Sequence, residues 1–347
     1  PRDCAESTQA RTVDGVTPTA AKEGLIVLSA AGLFWSRGWC CLPSVAVFEC
    51  SVPSSVMLTG LLYLFVWLSA LFAWIYHTYP FPFFINGRWY WVRWYCYPNG
   101  DVARKLQSQI SQITASTIGC LLDYRIFQDV NAFSNKILVV AFDFWTAQPV
   151  FFNCVFRSDL PTEIEEKMPQ GLRNTPILHL GLVMTLPSHQ GRHLQRFSIL
   201  NIWLWLFFNK KTKCILTDIG NSSSSTRLWA DNLLDPFPNY HKWELVPKKW
   251  HTLTAHYMLQ NYKIEFGSSL SATFDLESFV VRGSNAKEGG GAHQLIKFNK
   301  TREARNRKVL DFYQKHLKLS AEDEVFHVAV ASIPHFLFGT AAVQEFI

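Results

Sequence analysis

Residues 176–195 read PILHLGLVMTLPSHQGRHLQ, and the fold is decided in this stretch. Pro176 to Leu186 is an apolar run without a charge, short enough to predict a buried strand. The next six residues, Pro187-Ser188-His189-Gln190-Gly191-Arg192, carry the Pro, Ser and Gly of a turn. From His193 the apolar residues fall at Leu194, Phe197, Leu200, Ile202, Trp203, Trp205 and Leu206, which predicts an apolar helix to Phe208. Lys210 and Lys211 fit its C-terminus, where cations meet the helix dipole. A strand that runs into a turn opening a helix makes an anion site. The first free N–H groups point out of the helix N-terminus, and the dipole favours negative charge there. Gln190, Gly191 and Arg192 place a polar side chain, a flexible backbone and a cation at that point.

Working outward, Lys213 to Asp218 reads as a further strand and Ser222 to Leu234 as a short helix after a Ser-rich cap. Upstream, Lys136 to Phe142 and Pro149 to Phe156 are apolar strands joined by a hairpin connection over 143–148. Arg88 to Tyr97 alternates charge with aromatic bulk and predicts a strand. Pro98 to Asp101 is a turn, and Val102 to Tyr124 carries one or two helices. Ser158 to Thr175 is an acidic loop with room for a short helix at Glu163 to Met168. Beyond Tyr240 the signals weaken. Leu253 to Leu259 and Tyr262 to Phe266 read as short strand-like pieces, Gly283 to Ala292 as a flexible linker, and Thr301 to Leu317 as a basic helix. The expected fold class is α/β (α+β): a mixed, mostly antiparallel central sheet flanked by helices.

The order strand, turn, helix, strand, Asn, helix resembles the GNAT superfamily of N-acetyltransferases. In that family a Q/R-x-x-G-x-G/A turn after the central strand cradles the coenzyme A pyrophosphate. Here Gln190, Gly191, Arg192, His193, Leu194 and Gln195 stand where that turn belongs, and Asn221 follows the next strand. His193 and Gln195 fill the two small positions of the motif. The resemblance implies a GNAT-like domain over 88–240, acetyl-CoA or another acyl-CoA as acyl donor, and an amine as acceptor. By the same resemblance the backbone of Leu182, Val183 and Met184 meets the pantetheine arm. Trp229 stands nearest to the tyrosine that protonates the departing thiolate in many members.

An amine must lose a proton to attack a thioester, so a base is needed. Asp143, His179 and Asp218 are the candidates near the expected cleft. Each also has a structural role open to it: Asp143 as the cap of its hairpin, Asp218 as a strand-end cap, His179 as a hydrogen-bonded core residue. A catalytically inactive, partner-binding GNAT-like module is the alternative, favoured by His193, Gln195 and Trp229. No metal site is expected: His241, His251 and His256 lack tight ligand spacing and read as scattered surface histidines.

The chain has 347 residues, 48% hydrophobic and 17% charged, which excludes a disordered chain. Its 51 aromatics (13 Trp, 11 Tyr, 27 Phe) point to a membrane segment or an aromatic-lined site. Leu58 to Tyr76 is 19 residues without a charge, long enough to cross a bilayer as a helix. An aromatic stretch from His77 to Trp94 follows it and suits the membrane interface. The domain reading is therefore a leader or non-native extension over 1–56, a transmembrane anchor over 57–80, the domain over 88–240, and a C-terminal extension over 241–347 that completes or flanks it. Arg88, Arg93, Arg104 and Lys105 lie C-terminal to the span, so the globular part is expected to face the cytosol. The formal charge of +6 is concentrated in residues 241–320, with 14 Lys/Arg against 7 Asp/Glu. A solvated basic face explains that better than nucleic-acid binding. None of the eight cysteines forms a CxxC pair, so they read as reduced, partly buried thiols.

Overall fold

The computed structural model describes residues 80–119, 121, 124–220, 223–284, 307–320 and 322–333. The leader, the anchor at 57–80, Asn221 and most of the expected linker at 283–292 lie outside the described residues. Among the described residues, no helix is long and apolar enough to cross a membrane.

The element order begins with strands β1 (Phe81–Ile85) and β2 (Arg88–Cys96), helix α1 (Gly100–Ile118) and a short α2 (Arg125–Gln128). Strands β3 (Lys136–Asp143) and β4 (Pro149–Ser158), the single turn α3 (Thr162–Glu165) and β5 (Ile177–Thr185) follow. Then come α4 (Arg196–Phe208), β6 (Lys213–Gly220), α5 (Ser223–Asn232), β7 (Leu234–Phe237) and α6 (Lys249–Tyr262). Strands β8 (Thr273–Asp275) and β9 (Val280–Arg282), α7 (Arg307–Asp311) and β10 (Glu324–Ser332) complete the series.

All the strands join one sheet in the order β1-β2-β3-β4-β5-β6-β10-β9-β8, with β7 paired to β10. Every pairing is antiparallel except β5 with β6, which is parallel. The fold is thus mixed α/β with a large, mostly antiparallel sheet, as the sequence predicts. β10 lies inside the sheet, paired to β6 from Val325↔Gly220 to Ser332↔Lys213.

Period-two alternation sorts the strand residues onto two faces. Ile137, Val139 and Ala141 of β3 pack with Phe197, Ile202, Trp205 and Leu206 of α4. Leu138 and Val140 point the other way, onto Leu106, Ile110 and Ile113 of α1. Further along that second face Ile177, Ile215 and Phe326 pack with Trp250, Met258 and Leu259 of α6. Cys154 and Cys214 are free and buried, and burial raises the Cys154 thiol to about 11.

Three expectations are corrected. The strand-like pieces at 253–259 and 262–266 are in the helix α6 and the turn after it. The buried set Trp250, His251, Thr254, Ala255, Met258 and Leu259 has helical spacing, but two of its six members are polar and hide the apolar stripe. His251 is therefore a core residue, 2% exposed, and not a surface histidine. The aromatic stretch through Trp94 includes a β-hairpin: β1 pairs with β2 from Phe81↔Val92 to Ile85↔Arg88, and Tyr90, Val92 and Trp94 are buried in the core. The expected basic helix is helical in its described part, and residues 301–306 lie outside the described residues. It runs Arg307–Asp311 and widens into a π-turn over Phe312–His316.

Candidate functional site

The two edges of β5 differ. Toward β4 it is paired from Ser158↔Ile177 to Phe151↔Thr185. Toward β6 the ladder has four pairs, Ile177↔Ile215 through Leu180↔Asp218, and then stops. The two parallel strands are no longer paired beyond Leu180, and the C-terminal ends of such a pair are the usual ligand position in open parallel sheets.

A bulge marks the same point. Asn153 pairs with Val183 while Val155 pairs with Leu180, so two steps of β4 oppose three of β5. Leu178 and Leu180 pack toward α4, whereas Leu182 and Met184 pack toward α1. Without an extra residue, all four would share one face. Gly181 sits at the switch. A Cβ there would lie 2.8 Å from the Cys154 carbonyl oxygen, so the strands approach this closely only with glycine. Leu182, Val183 and Met184 therefore lie on the separated half of β5, with Val183 41% exposed.

The chain then turns through Pro187–His189. The Gln190 N–H donates to the Pro187 carbonyl at 3.3 Å, and its side-chain amide reaches back to the Thr185 carbonyl at 3.4 Å. Gly191 has φ +75° and His193 φ +60°. His193 thus holds the left-handed backbone that favours glycine. Leu194 is buried beneath the turn, and α4 starts at Arg196, three residues later than predicted. The N–H groups of Arg196, Phe197 and Ser198 donate to the carbonyls of His193, Leu194 and Gln195. The donors left for an anion are therefore those of the turn itself.

Positive charge gathers beside this turn. Arg192 donates to the Asn86 carbonyl at 3.4 Å, across from the β1–β2 hairpin. The charges of Arg88 and Arg192 both bear on His189, whose ring stays below its ordinary pKa chiefly through burial. His189 Nδ1 shares a 3.2 Å hydrogen bond with the Tyr90 hydroxyl.

The three base candidates fall in three settings. Asp143 ends β3, and its Oδ1 accepts from the Trp145 and Thr146 N–H groups and the Thr146 hydroxyl. Burial raises its carboxyl, but these hydrogen bonds outweigh it and hold the group below the usual carboxylate range. His179 lies in the closed half of β5, 1% exposed, with Nδ1 2.9 Å from the Thr217 hydroxyl and its ring stacked 3.7 Å from Phe266. Burial, helped by the Lys136 charge, lowers it to about 3, so the ring is neutral. Asp218 is the cross-strand partner of Leu180 at the last pair of the ladder. His179 and Asp218 are close in the ladder but one residue apart in register, so their side chains leave opposite faces. Asp143 stands apart from both.

Sequence reasoning missed His327. It is the direct cross-strand partner of Asp218 on β10, and its Nδ1 lies 4.0 Å from Asp218 Oδ2. Its Nε2 is 3.1 Å from the Thr226 hydroxyl, which is hydrogen-bonded in turn to the Tyr313 hydroxyl. Trp229 is fully buried and stacks on the His327 ring at 5.5 Å. The available signal was a histidine at the fourth position of the strand EVFHVAVAS, inside a run that is apolar between its terminal Glu and Ser. Among the described residues no group of three His, Cys, Asp or Glu side chains is placed to hold a metal ion.

No protein-family model matches the chain, and no curated protein matches it in sequence. Solved structures to which it is similar are acetyltransferases. One is AtaT complexed with acetyl-methionyl-tRNAfMet, at 13% identity and TM-score 0.21, covering 28% of this chain and 61% of that one. Another is a GNAT-family acetyltransferase from Listeria monocytogenes 4b F2365, at 10% identity and TM-score 0.29, covering 44% of this chain and 89% of that one. A third is the GCN5-related glucosamine N-acetyltransferase region of a fungal multi-domain GH3 β-N-acetylglucosaminidase, at 12% identity and TM-score 0.26, covering 67% and 25%.

Proposed function

We propose that the chain is a GNAT-like N-acyltransferase that takes acetyl-CoA or another acyl-CoA and passes the acyl group to an amine. The observation that carries this reading is the parting of β5 from β6 after Leu180, with the Gln190–Gln195 turn directly beyond it. The left-handed backbone at Gly191 and His193 lets the turn's own N–H groups face a pyrophosphate. Arg192, with Arg88 nearby, adds the cations. The unpaired edge at Leu182, Val183 and Met184 offers backbone groups to the pantetheine arm and to the thioester carbonyl, whose developing charge such donors stabilise. Asp218, at the mouth of the cleft, is the base in this reading.

Calorimetric titration with coenzyme A tests it. Heat saturating at one site, lost in Gln190→Ala/Arg192→Ala, is the expected result. No heat at high protein concentration overturns the reading. A second reading, a partner-binding module without catalysis, is favoured by Trp229, which is buried and has no phenol to protonate a thiolate. It predicts that the double variant changes no affinity for coenzyme A.

The reading also places the body on the cytosolic side of a membrane, tethered through residues 58–76. A protein that stays with the membrane pellet in alkaline carbonate supports the tether. Release into the supernatant removes it.

A further inference from the structure

Among the described residues, Nδ1 of His327 and Nε1 of Trp229 are buried without a hydrogen-bond partner. A buried polar atom left unpaired costs free energy, so a fold that keeps one has a use for it or closes the gap in another state. At His327 the gap leads to a carboxylate. Asp218 Oδ2 is 4.0 Å from Nδ1, and the two residues face each other across β6 and β10. On the other side of the ring, Nε2 meets Thr226, and Thr226 meets Tyr313. His327, Thr226 and Trp229 are fully buried, and Tyr313 is nearly so.

A ring proton is favoured on the nitrogen that faces a carboxylate, and Nδ1 is the one 4.0 Å from Asp218 Oδ2. Tyr313 donates to Thr226, Thr226 donates to Nε2 of His327, and the remaining ring proton sits on Nδ1, pointing at Asp218. Each donor in the chain is then aimed at the carboxylate, and such chains polarise one another. Trp229, stacked flat on the ring, fixes the plane of the imidazole.

We propose that His327 is a positioning residue for Asp218: its Nδ1–H holds the carboxylate at the mouth of the cleft to take a proton from the acceptor amine. This rests on the acyl-transfer reading above. As the N–C bond forms and the C–S bond breaks, the electron pair of that bond leaves on sulfur. The amine proton passes to Asp218 and from there to the thiolate, which departs as the thiol. Asp218 returns to its starting protonation state when the thiol departs, and His327 keeps its ring proton throughout.

Two measurements on the full chain test this. The first uses 15N-histidine labelling and ring 15N–1H correlation spectra. The expected result is a neutral His327 with its proton on Nδ1 and a resonance that moves in Asp218→Asn. A proton on Nε2, or a resonance indifferent to Asp218→Asn, overturns the proposal. The second follows thiol release from acetyl-CoA with ethanolamine, which is protonated at neutral pH, and with hydroxylamine, which is not. With ethanolamine, Asp218→Asn is expected to lose about 10²-fold, the lower end for a general base. His327→Gln, which keeps only the Nε2-like contact to Thr226, loses about tenfold, the worth of one hydrogen bond. His327→Asn, which keeps a donor toward Asp218, loses less than His327→Gln. With hydroxylamine all three losses shrink. Equal losses on both nucleophiles, or a larger loss in His327→Asn than in His327→Gln, overturn the proposal. If the wild type acylates neither amine, the acyl-transfer reading falls, and the spectra alone decide the Asp218–His327 contact.

Discussion

The two halves of β5 make opposite uses of one strand. Residues 177–180 are paired on both edges and buried, and His179 is locked between Thr217 and Phe266. Among the described strands, residues 181–185 pair with β4 alone. The lower half stabilises the body by apolar burial. The upper half has no second strand among the described residues, as the proposed ligand-binding edge requires. The junction is a single glycine, and the chain runs straight on into the Gln190 turn. The contrast teaches that the closed half holds a histidine out of chemistry, while the open half places Asp218 at its boundary.

The largest expected effect comes from breaking the junction. Gly181→Val drives a side chain into the Cys154 carbonyl and is expected to cost about 3 kcal/mol, by the overpacking mechanism. For a body of this size each kcal/mol moves the melting midpoint by about 2–4 °C, which thermal unfolding measures. The variant should lose coenzyme A binding as well.

The next test loosens the closed half alone. Lys136 is 4% exposed at its side chain and pairs with Glu265 at 3.0 Å, next to the Phe266 that covers His179. Burial raises the Glu265 carboxyl, but Lys136 and Arg125 outweigh it, and its pKa lies below the usual value. Its folded pKa is depressed, so its contribution is present above the unfolded pKa and is lost as pH falls through the folded one. Glu265→Gln is expected to cost about 2 kcal/mol at neutral pH, since it leaves Lys136 buried without its ion pair. In melts taken toward acid, the gap to wild type should narrow. Coenzyme A affinity should not change.

The third acts on the open half alone. Gln190→Ala/Arg192→Ala should leave the melting midpoint near wild type and weaken coenzyme A by about tenfold, the scale of one charge-assisted hydrogen bond. The smallest effect is expected from His193→Gly. Relief of a left-handed side chain is offset by the entropy of glycine, so stability moves by less than about 1 kcal/mol. Coenzyme A affinity, read by calorimetry, should rise by about threefold as the phosphates approach the backbone more closely.

The sheet was legible in the sequence wherever a strand was an unbroken apolar run: β3, β4, β5 and β6 are within a few residues of their expected bounds. The turn at 187–192 was legible from its Pro, Ser and Gly. The parting of β5 from β6 was not, because it is a property of two strands and of a bulge that no local pattern encodes. Gly181, inside an apolar run, was its only trace. Helix α6 escaped because His251 and Thr254 take core positions. His327 escaped because its meaning depends on pairing with Asp218 across more than a hundred residues. Of the proposed site, the turn residues and Asp218 are the part that the sequence alone brings forward. The network behind Asp218 is not, since Thr226, Tyr313 and His327 meet only in the folded chain.

The most direct test of the central claim, that the open half of β5 and its turn receive an acyl-CoA, is hydrogen exchange followed by mass spectrometry with and without coenzyme A. The account predicts slow exchange at 177–180 in both states. It predicts faster exchange at 181–195 that becomes protected when coenzyme A is added. Exchange at 181–195 that is unchanged at saturating coenzyme A, or protection confined to another part of the chain, would contradict it.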